Sequence, residues 1–252
     1  MVMVFIWIFA AIIGIPILLF DSIRKKQNKN IQNPHSSEPS QPYQHSPSDA
    51  ERLNNLNNRI LASRFGFASK GETGENRIEL RLMQININKY IIRNAYIPYR
   101  NQTSESDIIL LTEYGIFVIE SKNYSGWIFG SQNGQYWTQS LNKRSKYKFY
   151  NPIKQNNTHI NAISSFLGLP KSCFNSLIVF SRKSTLKRVP LNCNEFLIIY
   201  DDMILTTIQN IIQTRQAFFS KEQIAYFYQK LYPTTQVTYD IKMQHINNAH
   251  HK

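Results

Sequence analysis

The residues best suited to chemistry lie in the run Asp107-Ile-Ile-Leu-Leu-Thr-Glu-Tyr-Gly-Ile-Phe-Val-Ile-Glu120-Ser-Lys122. Two apolar stretches read as strands, and the second ends abruptly on Glu-Ser-Lys. The period of two along a strand puts Glu120 and Lys122 on one face. If Glu113-Tyr114 form a two-residue hairpin loop, Thr112 pairs with Gly115 and Asp107 stands opposite Glu120, with Cβ atoms about 4.5–5.5 Å apart. Two bare carboxylates that close repel each other, whereas two that share a divalent cation do not. A bulge at Gly115 would slip this register by one. The competing account is a salt bridge between Glu120 and Lys122 at the rim of a sheet, with Asp107 unrelated to it.

Those strands need elements to position them. Glu75 precedes Ile78 and Leu82 by three and seven residues, so it lies on the apolar face of a helix starting near Gly74. A first-turn acid is also favoured by the helix dipole, by about 0.3–1 kcal/mol. Residues 51–62 read as an earlier amphipathic helix. Strands are expected at Tyr90–Ile97, stopped by Pro98, then at Asp107–Thr112, Ile116–Lys122 and near Trp127–Gly130. Asn151-Pro152 is a helix start, cap residue then proline, and Gly168 with Pro170 ends that helix. Further strands are expected at Ser176–Ser181 and Glu195–Tyr200. Helices follow from Asp202 to about Thr214 and from Ser220 to Leu231, the latter with a Ser220/Gln223 capping box. This alternation implies a mixed α/β domain over 51–231, followed by a polar tail over 232–252.

The N-terminal fifth is different. Met1–Phe20 carries no charge and reads as Val, Ile, Phe, Leu, Trp and Ala, long enough to span a bilayer of about 30 Å. Arg24, Lys25, Lys26 and Lys29 follow it and no cation precedes it, so the expectation is a single-pass anchor with everything after it cytoplasmic. A cleaved leader fits less well, because no Lys or Arg precedes the apolar run and no small-x-small site follows Phe20. Within 21–50, sixteen of the 24 residues from Gln27 to Ala50 are Gln, Asn, Pro or Ser, a composition for a disordered linker. The first 50 residues hold four of the 29 Lys/Arg and three of the 16 Asp/Glu, so the remainder carries 25 against 13, a net +12. With two cysteines and no paired Cys-x-x-Cys, a disulfide scaffold and a structural zinc module are excluded. No repeat of 20–50 residues occurs, which excludes solenoids and propellers.

Taken together, Gly74-Glu75, Asp107, the core Gly115-Ile-Phe-Val-Ile-Glu120-Ser-Lys122-Asn-Tyr-Ser-Gly126, and Asn151-Pro152 with Gln155 and His159 resemble the NERD, or nuclease-related, domain family over roughly residues 69–185. That family resembles the PD-(D/E)xK restriction-endonuclease-like superfamily. The resemblance implies an α/β fold, a mixed central sheet flanked by helices. It implies Asp107, Glu120 and Lys122 as the catalytic core, Glu75 as an additional helix acid and metal ligand, and Gln155 as a supporting catalytic residue. It further implies Mg²⁺ or Mn²⁺ held by Asp107, Glu120 and Glu75, no small-molecule cofactor, and hydrolysis of phosphodiester bonds in DNA or RNA. Many members carry His after the core Asp; here that position is Ile108.

Two basic clusters suit phosphate contacts. Lys143, Arg144, Lys146 and Lys148 interleave with Tyr147, Phe149 and Tyr150, and Arg182, Lys183, Lys187 and Arg188 follow a strand. The same cations would also suit a solvated loop or anionic lipid headgroups near an anchor. A second reading of the whole is a non-catalytic module that keeps the fold and binds nucleic acid or a partner. Gln155 and His159, four apart on one helix, would face the same site, though an ordinary partly buried histidine is equally served by that position.

Overall fold

In the computed structural model the described residues are 49–64, 70–142, 144–190, 192–238, 240–241 and 243. Met1–Phe20, the linker up to residue 48, Lys143 and most of the polar tail lie outside them, so the expected anchor and linker do too. Among the described residues no helix is long and apolar enough to cross a membrane. Pro47–Lys252 forms one compact unit.

Helices α1 (Asp49–Arg64) and α2 (Lys70–Met83) precede a meander of β1 (Lys89–Tyr99), β2 (Gln102–Thr112) and β3 (Gly115–Lys122). A second set of strands follows, β4 (Gly126–Phe129), β5 (Tyr136–Ser140) and β6 (Lys146–Tyr150). Then come α3 (Pro152–Leu167), β7 (Phe174–Phe180), β8 (Ser184–Arg188), β9 (Leu197–Tyr200), α4 (Ile204–Gln213) and α5 (Lys221–Leu231). They assemble into two sheets, β1-β2-β3-β7-β9 and β6-β5-β4-β8. The first is mixed, antiparallel through β1–β2–β3 and parallel through β3–β7–β9. This is the expected α/β architecture, mixed sheets flanked by helices.

Continuous apolar runs such as Ile108–Leu111 and Ile116–Ile119 bury both faces of the first sheet, as strands covered by helices on each side must. One face packs Ile109, Leu111, Ile116 and Val118 against Ile160 and Ile163 of α3 and Ile224, Phe227 and Leu231 of α5. The other packs Ile108, Leu110, Phe117 and Ile119 against Ile78 and Leu82 of α2 and Ile204 and Ile208 of α4. A third cluster joins the two sheets. Trp137 lies flat on Phe180, ring centroids 6.1 Å apart and 5° between planes, beside Ile128, Ile178, Phe196 and Ile198. Gly130 is needed there, since a Cβ would come within 2.1 Å of the Trp137 ring.

Pro98 does not stop β1, contrary to expectation. It pairs with Thr103 inside the β1–β2 ladder. β1 is an edge strand, and proline's missing N–H is tolerated where one side of the strand has no ladder to complete. The polar segment 102–106 is also strand, because the turn at Arg100 and Asn101, both at positive φ, sends the chain straight back along β1. Strands β5, β6 and β8 were not foreseen as strands either. The Lys146–Tyr150 cluster is a strand of the second sheet rather than a loop.

Candidate active site

The β2–β3 hairpin sets the first two site residues. Thr112 pairs with Gly115 across the two-residue loop Glu113-Tyr114, and the ladder runs on to Ile108 opposite Ile119. The Thr112 hydroxyl reinforces the turn, donating to Gly115 O at 2.7 Å and accepting from Tyr114 N at 3.2 Å. Gly115 sits at φ 128, outside the range of other L-residues, and no bulge slips the register. One rung beyond the ladder, Asp107 and Glu120 therefore face each other. Asp107 Oδ2 accepts the backbone N–H of Ser121 at 2.8 Å.

Helix α3 supplies the rest. Asn151 caps it, its side chain accepting from Ile153 N, and Pro152 opens its first turn. The Asn151 amide also donates to the carbonyls of Ser131, Gln132 and Gly134, which ties the helix start to the loop after β4. Asn156, fully buried, donates to Val118 O and to the Ser176 hydroxyl and so pins α3 over β3 and β7. This leaves Gln155 and His159 facing the end of β3. Lys122 Nζ donates to Glu120 Oε1 at 2.5 Å and to Gln155 Oε1 at 3.1 Å. His159 Nδ1 and the Ser104 hydroxyl are 2.7 Å apart. His159 Nε2 lies 3.2 Å from Glu120 Oε2, and neither atom has a hydrogen-bond partner among the described residues.

The ion pair of the competing account thus exists, but it is not at an open rim. Glu120 is 1% exposed, and Asp107 is its neighbour. Burial would raise the Glu120 carboxyl, but the Lys122 ammonium, then the His159 ring, overcomes that and holds it at about 2. Asp107 is pushed well above the ordinary aspartate range by desolvation and then by the Glu120 charge, with Lys122 and the Ser121 N–H only partly offsetting them. Burial acts to lower Lys122, yet Glu120 and Asp107 raise it, so it is firmly an ammonium. Fully ionised, the two carboxylates would outnumber the one lysine between them, and the raised Asp107 is the response.

Glu75 does face inward, as its helical position implied, but its Oε2 is bound by Arg93 of β1 at 2.6 Å. Desolvation raises its carboxyl despite that arginine. It contributes to the field that raises Asp107 while its carboxylate is turned to Arg93. Arg93 also binds Asn76 and Glu79, at 2.7 and 3.0 Å. Arg93 and Ser104 went unrecognised in the sequence. Arg93 carried a signal, a lone charge inside the run Tyr-Ile-Ile-Arg-Asn-Ala-Tyr-Ile; Ser104 carried none.

The donor set suits a small hard cation. Asp107 and Glu120 offer carboxylate oxygens, one of them (Glu120 Oε2) buried without a hydrogen-bond partner, and Gln155 offers an amide oxygen. Among the described residues no group of three or more His, Cys, Asp or Glu could hold a metal ion. Two carboxylates are nonetheless the usual protein share for Mg²⁺, which keeps several waters and binds substrate phosphates as well. The residues present fit the ion.

The basic clusters lie on other elements, the second of them starting next to Ser181, whose N–H donates to Lys122 O at 3.0 Å. Lys146 and Lys148 are exposed on β6, and Arg144 is exposed in the turn before it. Arg182 and Lys183 are exposed between β7 and β8. Arg182 Nε is 3.1 Å from Asp202 Oδ2 and its guanidinium lies 4.7 Å from the Tyr200 ring centre.

Residues 70–181, which span α2 through the end of β7, match the family described as the nuclease-related domain. This part of the chain is a nuclease-related domain. The match covers every acidic, basic and amide group of the centre described above. An uncharacterized protein of Bacillus anthracis is 29% identical over 185 residues, covering 73% of this chain and 85% of that protein. No solved structure matches. In the nuclease-related domain the hairpin β2–β3 and helix α3 together present Asp107, Glu120, Lys122 and Gln155, while α2 brings Glu75 to its border.

Proposed function

We propose that this protein is a metal-dependent nuclease of restriction-endonuclease-like fold, tethered to a membrane by Met1–Phe20 with its nuclease-related domain in the cytoplasm. One observation carries the enzymatic part. Asp107 and Glu120 face each other on adjacent strands, the second fully buried, with Lys122 bridging Glu120 to Gln155. Close carboxylates are costly to the fold unless a cation joins them.

Asp107 and Glu120 would hold Mg²⁺ or Mn²⁺. When bound, such an ion stabilises charge building on the scissile phosphate and lowers the pKa of a bound water. The chain's own groups do the rest. The Ser121 N–H fixes Asp107 in place. Lys122 orients or helps deprotonate an attacking water and offers positive charge to a phosphate oxygen. Gln155 holds the Lys122 ammonium from the helix side. Glu75, held by Arg93, adds negative field at the border of the site. Arg144, Lys146, Lys148, Arg182 and Lys183, with Lys143, would neutralise phosphates beyond the cleavage point.

A non-catalytic module is favoured by a different fact: Lys122 occupies Glu120 Oε1, and among the described residues no third acid joins the pair as a ligand. Calorimetry with Mn²⁺ separates the readings. The nuclease reading requires binding at millimolar metal together with Mn²⁺-dependent cleavage of some nucleic acid; a protein that binds no Mn²⁺ is the scaffold.

A further inference from the structure

From Ser121 to Asn194 the chain contains no Asp or Glu and 11 Lys or Arg. The whole second sheet lies inside that stretch. Its inner face carries Ile128 and Trp137 into the core. Its outer face is a grid set by register. In one row Lys146 pairs with Ser140, Ser140 with Trp127 and Trp127 with Thr185; in the next Lys148 pairs with Thr138, Thr138 with Phe129 and Phe129 with Arg188. Tyr136 and Tyr150 pair at the end of the sheet, ring centroids 6.3 Å apart. Trp127, Tyr136 and Tyr150 are 52%, 43% and 38% exposed, which is unusual for rings of this size. Lys187 Nζ sits 5.0 Å from the centre of the Trp127 ring.

We propose that this outer face binds single-stranded nucleic acid, with bases stacked on Trp127, Tyr136 and Tyr150 and phosphates on Lys146, Lys148, Lys187 and Arg188. The inference rests on the nuclease reading and deepens it by naming the form of the substrate. Exposed rings can stack only on bases whose faces are free, and a duplex buries those faces in its own stack. Trp127 stands two rows, or four residues, from the Tyr136–Tyr150 row, about 14 Å along the strands and several times the 3.4 Å rise of stacked bases. A chain reaching both must therefore be splayed, which paired DNA cannot be. Thr138 and Lys148 occupy the row between Trp127 and the Tyr136–Tyr150 pair, so the face is not a continuous apolar patch of the kind a bilayer surface would cover. Backbone bonds point the same way. The N–H of Gly126 at the start of β4 donates to Lys183 O, and the N–H of Ser181 donates to Lys122 O, so the Trp127 end of this sheet adjoins the end of β3 that carries Lys122.

The test uses the full-length protein in neutral detergent micelles with EDTA present, and reads anisotropy of a labelled oligothymidylate of about 16 nucleotides. The same strand annealed to its complement, and micelles doped with phosphatidylglycerol, are the other two probes. Trp127→Ala and Tyr150→Ala should each weaken oligothymidylate binding by about 5-fold or more, Trp127→Phe should restore it, and duplex binding should change little. Unchanged oligothymidylate affinity in the Ala variants, or equal losses on strand and duplex, would overturn the proposal. Ring-dependent binding to the doped micelles with oligothymidylate binding unchanged would assign the face to lipid and overturn it as well. Cleavage by the parent in Mn²⁺ is scored separately. A parent that cuts while its Ala variants bind normally keeps the nuclease reading and loses this one; ring-dependent binding without cutting does the reverse.

Discussion

Asp107 accepts the backbone N–H of Ser121 one rung beyond the last pair of the β2–β3 ladder. The bond does two jobs at once: it extends the hairpin and it aims a carboxylate at Glu120. Asp107→Asn keeps an oxygen for that N–H and removes only the charge, so the fold should persist while Mn²⁺ binding and cleavage are lost. Asp107→Ala leaves the Ser121 N–H without its partner, at a cost of about 1–3 kcal/mol. Urea titration of the two variants beside Mn²⁺ calorimetry should show this split, and equal destabilisation of both would count against it.

The pH dependence of the metal-free protein follows from the same pair. Asp107 is raised in the folded state, so the native protein holds a proton that the unfolded chain has already released. Stability from this residue is complete below the ordinary aspartate range and is lost as pH rises through the raised value. Glu120, held at about 2, works in the opposite direction, and its contribution disappears only as pH falls towards 2. Melting in EDTA should therefore fall from mildly acidic to neutral pH. Asp107→Asn should flatten that fall and melt higher at neutral pH. A parent and variant with parallel pH profiles would show that Asp107 is not under strain.

Arg93 holds the border of the site. Its guanidinium binds Glu75, Asn76 and Glu79, and its side chain is only 9% exposed. Arg93→Met strands the Glu75 carboxylate, leaves Glu79 with Arg59 alone, and should cost about 3–5 kcal/mol in chemical denaturation. Glu75→Gln should be milder on stability and should lower Mn²⁺ affinity far less than Glu120→Gln, because the Glu75 carboxylate is turned to Arg93. A loss of metal binding as complete as that of Glu120→Gln would return Glu75 to the ligand set.

What could be read in the residues was whatever local rules decide. The Asn151-Pro152 start and Gly168 stop of α3, the Ser220/Gln223 box of α5 and the Glu113-Tyr114 turn each depend on a few neighbours, and each stands where the spacing placed it. From that turn the juxtaposition of Asp107 and Glu120 followed by counting. Of the second sheet only β4 was legible; β5, β6 and β8 are short and carry no clean apolar alternation, and β5 is held by Trp137 packing on Phe180 far along the chain. Segment 102–106 was missed for a related reason, since Gln-Thr-Ser-Glu-Ser has no strand pattern and is drawn into the ladder by its partner β1. Nothing near Glu75 in sequence announced Arg93, 18 residues away, as its counter-ion.

The uncharged run Met1–Phe20 followed by Arg24–Lys29 makes a prediction about the intact cell. The full chain should sediment with membranes, resist high salt and release into detergent, whereas a chain beginning at Pro47 should remain in the supernatant. Protease added to intact cells should spare the domain. Digestion from outside would reverse the proposed topology.

Lys122 offers the sharpest separation of roles. It touches Glu120 and Gln155 but is not itself a metal ligand, and the two nearby carboxylates keep it charged. Removing it leaves the Asp107–Glu120 pair more negative, so Lys122→Met should bind Mn²⁺ at least as tightly as the parent. Cleavage should nonetheless fall by about 10²-fold or more, the usual scale for losing a group that positions or stabilises the reacting centre. Lys122→Arg keeps the charge but cannot reproduce the compact ammonium between two oxygens, so it should recover only part of the rate. An interior ion pair without catalytic purpose predicts a different pattern, with both variants destabilised and no metal-dependent cleavage in the parent to lose. Measuring Mn²⁺ affinity and single-turnover cleavage on the same preparations decides between them, because only a catalytic Lys122 uncouples the two.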